Sequence, residues 1–241
     1  MDIKVLASGS KGNCYRVSDG STTLLLECGI PFKRIREGLD FKLSEVAACL
    51  VTHEHFDHSK AVKDIVKAGI DVYMSSGTKQ AIGVESHRIK TVSSQEQFTV
   101  GTFNILPFET QHDAAEPLGF LIYSTLTHEK LLFATDTYFV KYRFPKLTHI
   151  MVECNYSAQL LRQAVEAGLT HTALERRITT SHFSLHNVLI FLQANDLSAV
   201  KSIILLHLSS RHGDGEHFKR EVQRATGKQV YIAEKELEVE G

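Results

Sequence analysis

A chain of 241 residues, 43% hydrophobic and 23% charged, carries enough apolar material for a sizeable core and has the composition of an ordinary globular protein. Its formal net charge of -1 excludes broad, charge-driven attraction to nucleic acid or acidic membranes, so a polyanionic substrate has to be held by local contacts and by metal ions. The 4 cysteines, Cys14, Cys28, Cys49 and Cys154, lie in or beside apolar runs without CxxC spacing, which predicts small buried thiols in a reducing compartment.

Short β-rich runs open the chain at 4–7, 14–17 and 23–27, separated by Gly/Ser/Asn turn signals. The chain enters the first of these with no long apolar leader, and no apolar stretch is long enough to span a bilayer, so a soluble cytoplasmic protein is expected. Pro31 marks the start of a helix to residue 39, the apolar run 47–51 reads as a strand, and a helix over 59–68 follows. A strand at 71–74, a helix at 77–82, alternating segments through 97–136 and a strand at 149–153 come next. Helices at 157–167, 184–195 and 216–225 have apolar residues every three to four positions. Strands at 201–207 and 229–233 complete the pattern, and 234–241 reads as a frayed tail. Two β-rich halves, each followed by helices, fit one domain over residues 1–241: an α/β fold of the αββα sandwich type, with two mixed central sheets and the site at their edge.

Directly after the apolar run stands Thr-His-Glu-His-Phe-Asp-His, residues 52–58. In an extended segment, side chains at i and i+2 face the same way, so His53 and His55 can bind one ion together. Asp57 and His58 fall where the strand turns toward a helix and project toward a second ion. Asp57 alone could be a helix cap, but HxHxDH after a buried strand is far more specific than a lone HxH. Further donors close later strand-like runs: His112 after 102–108, Asp136 after 131–135 and His207 after 203–206.

This ordered series resembles the metallo-β-lactamase superfamily. The resemblance implies His53, His55 and His112 on one metal, Asp57, His58 and His207 on the other, and Asp136 as a bridge. The 136–207 interval leaves no space for the inserted domain of the β-CASP nucleases, and the 112–136 interval lacks the flexible arm of RNase Z. What remains is similar to the compact YycJ/WalJ-like subfamily, on Ser-Gly-Ser-Lys-Gly-Asn-Cys at 8–14, Glu-Cys-Asn-Tyr at 153–156, His-Phe-Ser at 182–184 and His-Leu-Ser at 207–209. That subfamily implies a cytoplasmic DNA exonuclease working from the 5′ end, of the kind that serves recombination or repair. DNA is the implied substrate, with RNA a second candidate, and no membrane partner is expected. The resemblance implies two divalent ions per chain, and the donor types suit Zn²⁺, Mn²⁺ or Fe²⁺ better than Mg²⁺ or Ca²⁺. It implies catalysis by a metal-bridging hydroxide that Asp57 orients. In one departure, Glu27 stands where the superfamily has Asp, in a position that orients metal-binding histidines.

His182 precedes a helix whose N-cap is Ser184, and the resemblance makes it the group that assists the leaving 3′ oxygen. A helix-start histidine satisfied by backbone is the alternative. Glu153 can orient it, or equally be a buried strand-end acid satisfied by backbone amides. In the loop 8–13, Ser8, Ser10, Lys11 and Asn13 can cradle a phosphate, or simply form a tight turn. Ser184, Ser209 and Arg211 are candidate substrate contacts near the helix start and after the last donor, with Arg211 equally readable as an ordinary solvated arginine. The same ligand set would also serve a thioester or lactone hydrolase of the glyoxalase II-like type, or a di-iron redox or nucleic-acid-binding protein.

Overall fold

Strands β1 (Asp2–Ala7), β2 (Cys14–Ser18) and β3 (Thr23–Leu26) pair antiparallel in sequence order, as the turn signals between them predict. The computed structural model describes residues 1–240. Helix α1 (Phe32–Gly38) follows with Pro31 at its cap, and β4 (Val46–Leu50) returns parallel to β3. The helix expected over 59–68 starts earlier and is broken in two, α2 (Phe56–Ser59) and α3 (Val62–Lys67). The break has a local cause: the Ala61 amide donates to the Cys28 carbonyl at 2.9 Å instead of continuing the α2 ladder. Strand β5 (Asp71–Met74), helix α4 (Ser76–Ile82) and strand β6 (Ile89–Thr91) extend the parallel set.

A meander of β7 (Phe98–Val100), β8 (Phe103–Glu109) and β9 (Leu118–Ser124) comes next. It is followed by β10 (Lys130–Ala134), β11 (His149–Glu153), α5 (Ala158–Glu166), α6 (Thr172–Ser181), α7 (Leu185–Gln193), β12 (Ser202–Leu206), α8 (Gly215–Thr226), β13 (Gln229–Ile232) and β14 (Glu238–Val239). The strands make two seven-stranded mixed sheets, ordered β14-β1-β2-β3-β4-β5-β6 and β13-β12-β11-β10-β9-β8-β7. With helices flanking them, this is the expected αββα class.

Three elements escape the sequence pattern. Helix α6 buries only Ile178 and Ser181 and carries three threonines, so it shows no apolar stripe. Strand β6 is short, with Ile89 its one buried residue. The tail 234–241, expected to fray, supplies β14, where Val239 and Glu238 pair with Ile3 and Lys4.

The chain divides into two compact units. The first comprises Met1–Glu109, Ala114–Glu129 and the residues from Ala233 onward. Its core gathers Leu25, Cys28, Ile35, Cys49, Val51, Ile65, Val72 and Met74. In the same unit Asp19 is buried at the β2–β3 turn. Its carboxylate accepts from the Ser124 and Thr102 hydroxyls, both at 2.6 Å, and from the amides of Ser21 (3.1 Å) and Thr22 (2.9 Å). The second unit comprises Thr110–Asp113 and Lys130–Ile232. Its parallel strands β11 and β12 are buried at every position, which is why they read as unbroken apolar runs. All four cysteines are buried and unbridged. Among the described residues, no helix is long and apolar enough to cross a membrane.

Candidate functional site

The first unit holds a compact donor cluster at the end of β4. His53 Nε2 lies 3.1 Å from His55 Nδ1, and the His53 and His58 rings are 4.2 Å apart between centroids. The Thr52 hydroxyl sits 2.8 Å from His53 Nδ1. Asp57 and His58 belong to the turn of α2 rather than preceding a helix, and His58 Nε2 stands 3.5 Å from the Asp57 carboxylate. Ser59 fastens this turn, donating to the Glu54 carbonyl at 2.7 Å.

Two neighbours hold the cluster from behind. Glu27, fully buried just after β3, places its carboxylate 3.5 Å from His58 Nδ1 and accepts from the Thr52 amide at 3.3 Å. Burial pushes its carboxyl above the ordinary range, against the pull of His58. Asn13 is the second neighbour: its amide donates to the Asp57 carbonyl at 2.8 Å, and its Nδ2 lies 3.2 Å from His58 Nε2. Gly29 makes the approach possible, since a Cβ there would sit 1.6 Å from the Asp57 carbonyl oxygen.

The second unit assembles its donors from separate strand ends. Asp136 follows β10, Glu153 ends β11, His207 follows β12, and His182 caps the C-terminal end of α6. One donor atom from each of these four lies within 4.8 Å of all the others. Glu153 ties them together. Its Oε1 is 2.6 Å from His182 Nδ1 and 3.2 Å from His207 Nδ1, while Oε2 accepts from the amides of Thr137 (3.0 Å) and Phe183 (3.1 Å). Burial is the largest influence and opposes its charge, as does Asp136, but His182 and His207 together outweigh them and hold the carboxyl below its usual range. Burial likewise opposes a charge on His182, and Glu153 with Asp136 overrides it, raising the imidazole. His112 is anchored by the Ser181 carbonyl, 2.9 Å from its Nδ1, with Nε2 3.7 Å from Asp136. Burial lowers its pKa. Asn155, given no role by the sequence reading, donates to the His207 carbonyl at 2.8 Å and approaches His207 Nδ1 at 3.3 Å. Asp136 and His207 both adopt the left-handed backbone region, with φ of 47° and 51°, as does Glu27 at 65°. Such costly conformations at three strand ends aim side chains away from the strand direction.

The remaining sequence candidates divide. Ser8 shares a 2.8 Å hydrogen bond with the Tyr15 hydroxyl, and the Asn13 side chain accepts from the Gly9 amide at 2.9 Å, so the 8–13 loop spends these groups internally. Ser10 and Lys11 are exposed on the same loop. The Ser184 hydroxyl accepts from the Asn187 amide as the expected N-cap. Ser209 accepts from the Arg211 and His212 amides, leaving Arg211 exposed on the turn that it stabilises.

Imidazoles and carboxylates grouped at strand ends, with further carboxylates and amides bound to their far nitrogens, have the chemistry of a divalent transition-metal site. The donor set fits such an ion.

Comparison with known proteins agrees. A model of the beta-lactamase superfamily domain matches residues 23–208. The exodeoxyribonuclease YycJ of Bacillus anthracis is 28% identical over 227 residues, covering 87% of this chain and 83% of that protein. The exodeoxyribonuclease WalJ of Streptococcus pneumoniae is 30% identical over 174 residues, covering 66% of this chain and 64% of that protein. The metallo-beta-lactamase fold protein YhfI from Bacillus subtilis superposes with a TM-score of 0.75 at 15% identity, covering 99% of each chain. The chain belongs to the beta-lactamase superfamily and is a metallo-hydrolase of the metallo-β-lactamase fold.

Proposed function

We propose that this protein is a two-metal phosphodiesterase acting on DNA, an exonuclease that removes nucleotides from the 5′ end. The observation that carries the reading is the similarity to an exodeoxyribonuclease across 87% of this chain and 83% of that relative. In this reading His53, His55 and His112 hold one ion, Asp57, His58 and His207 hold the other, and Asp136 serves both. Zn²⁺ and Mn²⁺ suit these donors, as does Fe²⁺. When bound, the ions supply Lewis acidity toward phosphoryl oxygens and acidify a water at neutral pH.

The chain's own residues supply the rest. Asp57 accepts the hydrogen bond of the attacking water and aims it. Glu153 orients His207 through one nitrogen and keeps a proton on His182 Nδ1, leaving Nε2 to face the departing 3′ oxygen. An alkoxide is a poor leaving group that gains from a proton at this position, whereas a thiolate leaves without one, so a positioned His182 favours phosphodiesters over thioesters.

The test is digestion of end-labelled single- and double-stranded DNA and RNA, with and without a 5′ phosphate, across Mn²⁺, Mg²⁺ and Zn²⁺. S-lactoylglutathione and a lactone are run beside them. Mononucleotide release from DNA 5′ ends is expected. Efficient thioester or lactone turnover with intact nucleic acid would replace the proposal with an acyl hydrolase.

A further inference from the structure

In the second unit, residues 138–143 and one side of α7, from Asn187 to the C-cap Ala194, line a cavity of about 520 Å³, within the range of about 300–1,000 Å³ typical of small-ligand sites. Tyr138, Phe139, Tyr142 and Ile190 give it aromatic and apolar walls, and Lys141 and Arg143 put two cations on the same short segment. Phe139 is 50% exposed, Ile190 51% and Tyr138 37%, so large apolar side chains meet solvent together here rather than singly. The Lys141 ammonium stands 5.2 Å from the centre of the Tyr142 ring.

The walls are not loose. The Tyr138 amide donates to the Gln111 carbonyl at 3.1 Å, and Asn187 Nδ2 donates to the Tyr138 carbonyl at 3.1 Å, joining the segment to α7. Phe183, a lining residue, and Thr137, which directly precedes the lining segment, both donate their amides to Glu153 Oε2, the carboxylate that positions His182 and His207. The cavity is therefore built onto the same support as the candidate catalytic histidine.

We infer that this cavity is a nucleobase subsite: it takes one base of the strand being cut, stacked on the more exposed ring, Phe139, while Lys141 and Arg143 meet a flanking phosphate. The inference rests on the nuclease reading above. Rings with exposed faces beside cations are the combination that binds single strands without base selection, because every base has a π-face and every linkage a charge. An apolar peptide would gain from the rings and nothing from the two cations. With a net charge of -1, the protein needs such a local contact to retain a polyanion.

The experiment uses the metal-loaded protein and a short fluorescent single-stranded DNA with non-hydrolysable phosphorothioate linkages. A single abasic residue is moved along the strand one position at a time. Wild type should show one position, next to the cleavage point, where the abasic residue weakens binding about tenfold. Phe139→Ala and Phe139→Leu should both erase that difference, Phe139→Trp should keep it, and Arg143→Gln should lower the salt slope by about one unit. Phe139 is half exposed, so the leucine variant keeps apolar bulk and removes only the ring face.

A flat abasic profile in a protein that cleaves DNA would sink the subsite and leave the nuclease reading standing. A tenfold difference that survives in Phe139→Leu would also overturn it, because the base would then be held by something other than the Phe139 ring. If the same wild-type preparation cleaves neither DNA nor RNA, the nuclease reading fails and the subsite falls with it.

Discussion

In the first unit the candidate donors crowd into residues 53–58 and are held by one turn, with Glu27 meeting a single histidine. In the second they come from three strand ends and a helix junction far apart in sequence, and Glu153 meets two histidines and two backbone amides. The physical outcome differs for two equally buried carboxylates. Burial raises Glu27, whereas at Glu153 burial is outweighed by His182 and His207 together, which hold it low. A local cluster can rely on chain connectivity for its geometry. A dispersed one needs a shared ionic anchor, and the anchor becomes its most vulnerable residue.

The largest expected effect falls on the second unit. His182→Ala should slow DNA hydrolysis by about 10²–10⁴-fold while both metals stay bound, as a lost general acid would. A substrate with a p-nitrophenolate leaving group, which needs no proton, should largely rescue the variant. Elemental analysis showing a lost ion would instead make His182 a ligand, consistent with its place beside Asp136 and His207.

The direct test of the comparison is to neutralise each anchor. Glu153→Gln should weaken metal retention toward the upper end of the about 10–100-fold span seen for partners of metal-binding histidines, and Glu27→Gln toward the lower end. Metal content after dialysis against graded chelator gives the ranking. Equal losses would mean that connectivity does not protect the first cluster.

The sequence exposes these two clusters unequally. His53, His55, Asp57 and His58 are legible on their own because a compact motif is improbable by chance. His112, Asp136 and His207 gain meaning only from their order and from their positions shortly after β8, β10 and β12. The roles of Asn13 and Asn155 were hidden because each acts through a backbone carbonyl, at Asp57 and His207, which no spacing rule encodes. The Ser8–Asn13 loop reads as a phosphate cradle by composition, yet Ser8 bonds the Tyr15 hydroxyl, the Asn13 side chain accepts from Gly9, and the Asn13 amide holds the Asp57 carbonyl. Helix α6 was missed because its exposed, threonine-rich face carries no periodic signal.

Asp19 offers a control in the first unit, remote in sequence from both clusters. Burial raises its carboxyl, but the Ser124 and Thr102 hydroxyls and the turn amides overcome this, and its pKa is lowered in the folded protein. Because the folded value is the lower one, the stabilisation is present above the ordinary Asp range and is lost as pH falls through the folded pKa. Asp19→Asn should lower the neutral-pH melting temperature by about 5 °C, taking about 1.5–3 kcal/mol for hydrogen bonds to a charged group. It should also flatten the acid limb of the Tm-versus-pH curve. An unchanged acid limb would assign that pH dependence to other carboxylates.

The smallest effect decides which unit's surface meets the strand. Lys11 is exposed on the loop whose Asn13 braces Asp57, and Arg211 is exposed on the turn after His207, so each is tied to one cluster. A phosphate contact is worth about one unit of slope in a plot of log affinity against log salt for duplex DNA, and somewhat less for single strands. Lys11→Ala and Arg211→Ala are therefore each expected to weaken DNA binding and reduce that slope by about one unit, with the two losses adding in the double variant. A reduction confined to Arg211→Ala would place this backbone contact on the second unit, and one confined to Lys11→Ala on the first. Wild-type affinity and slope in both variants would make them ordinary solvated cations and move the strand's path to other residues.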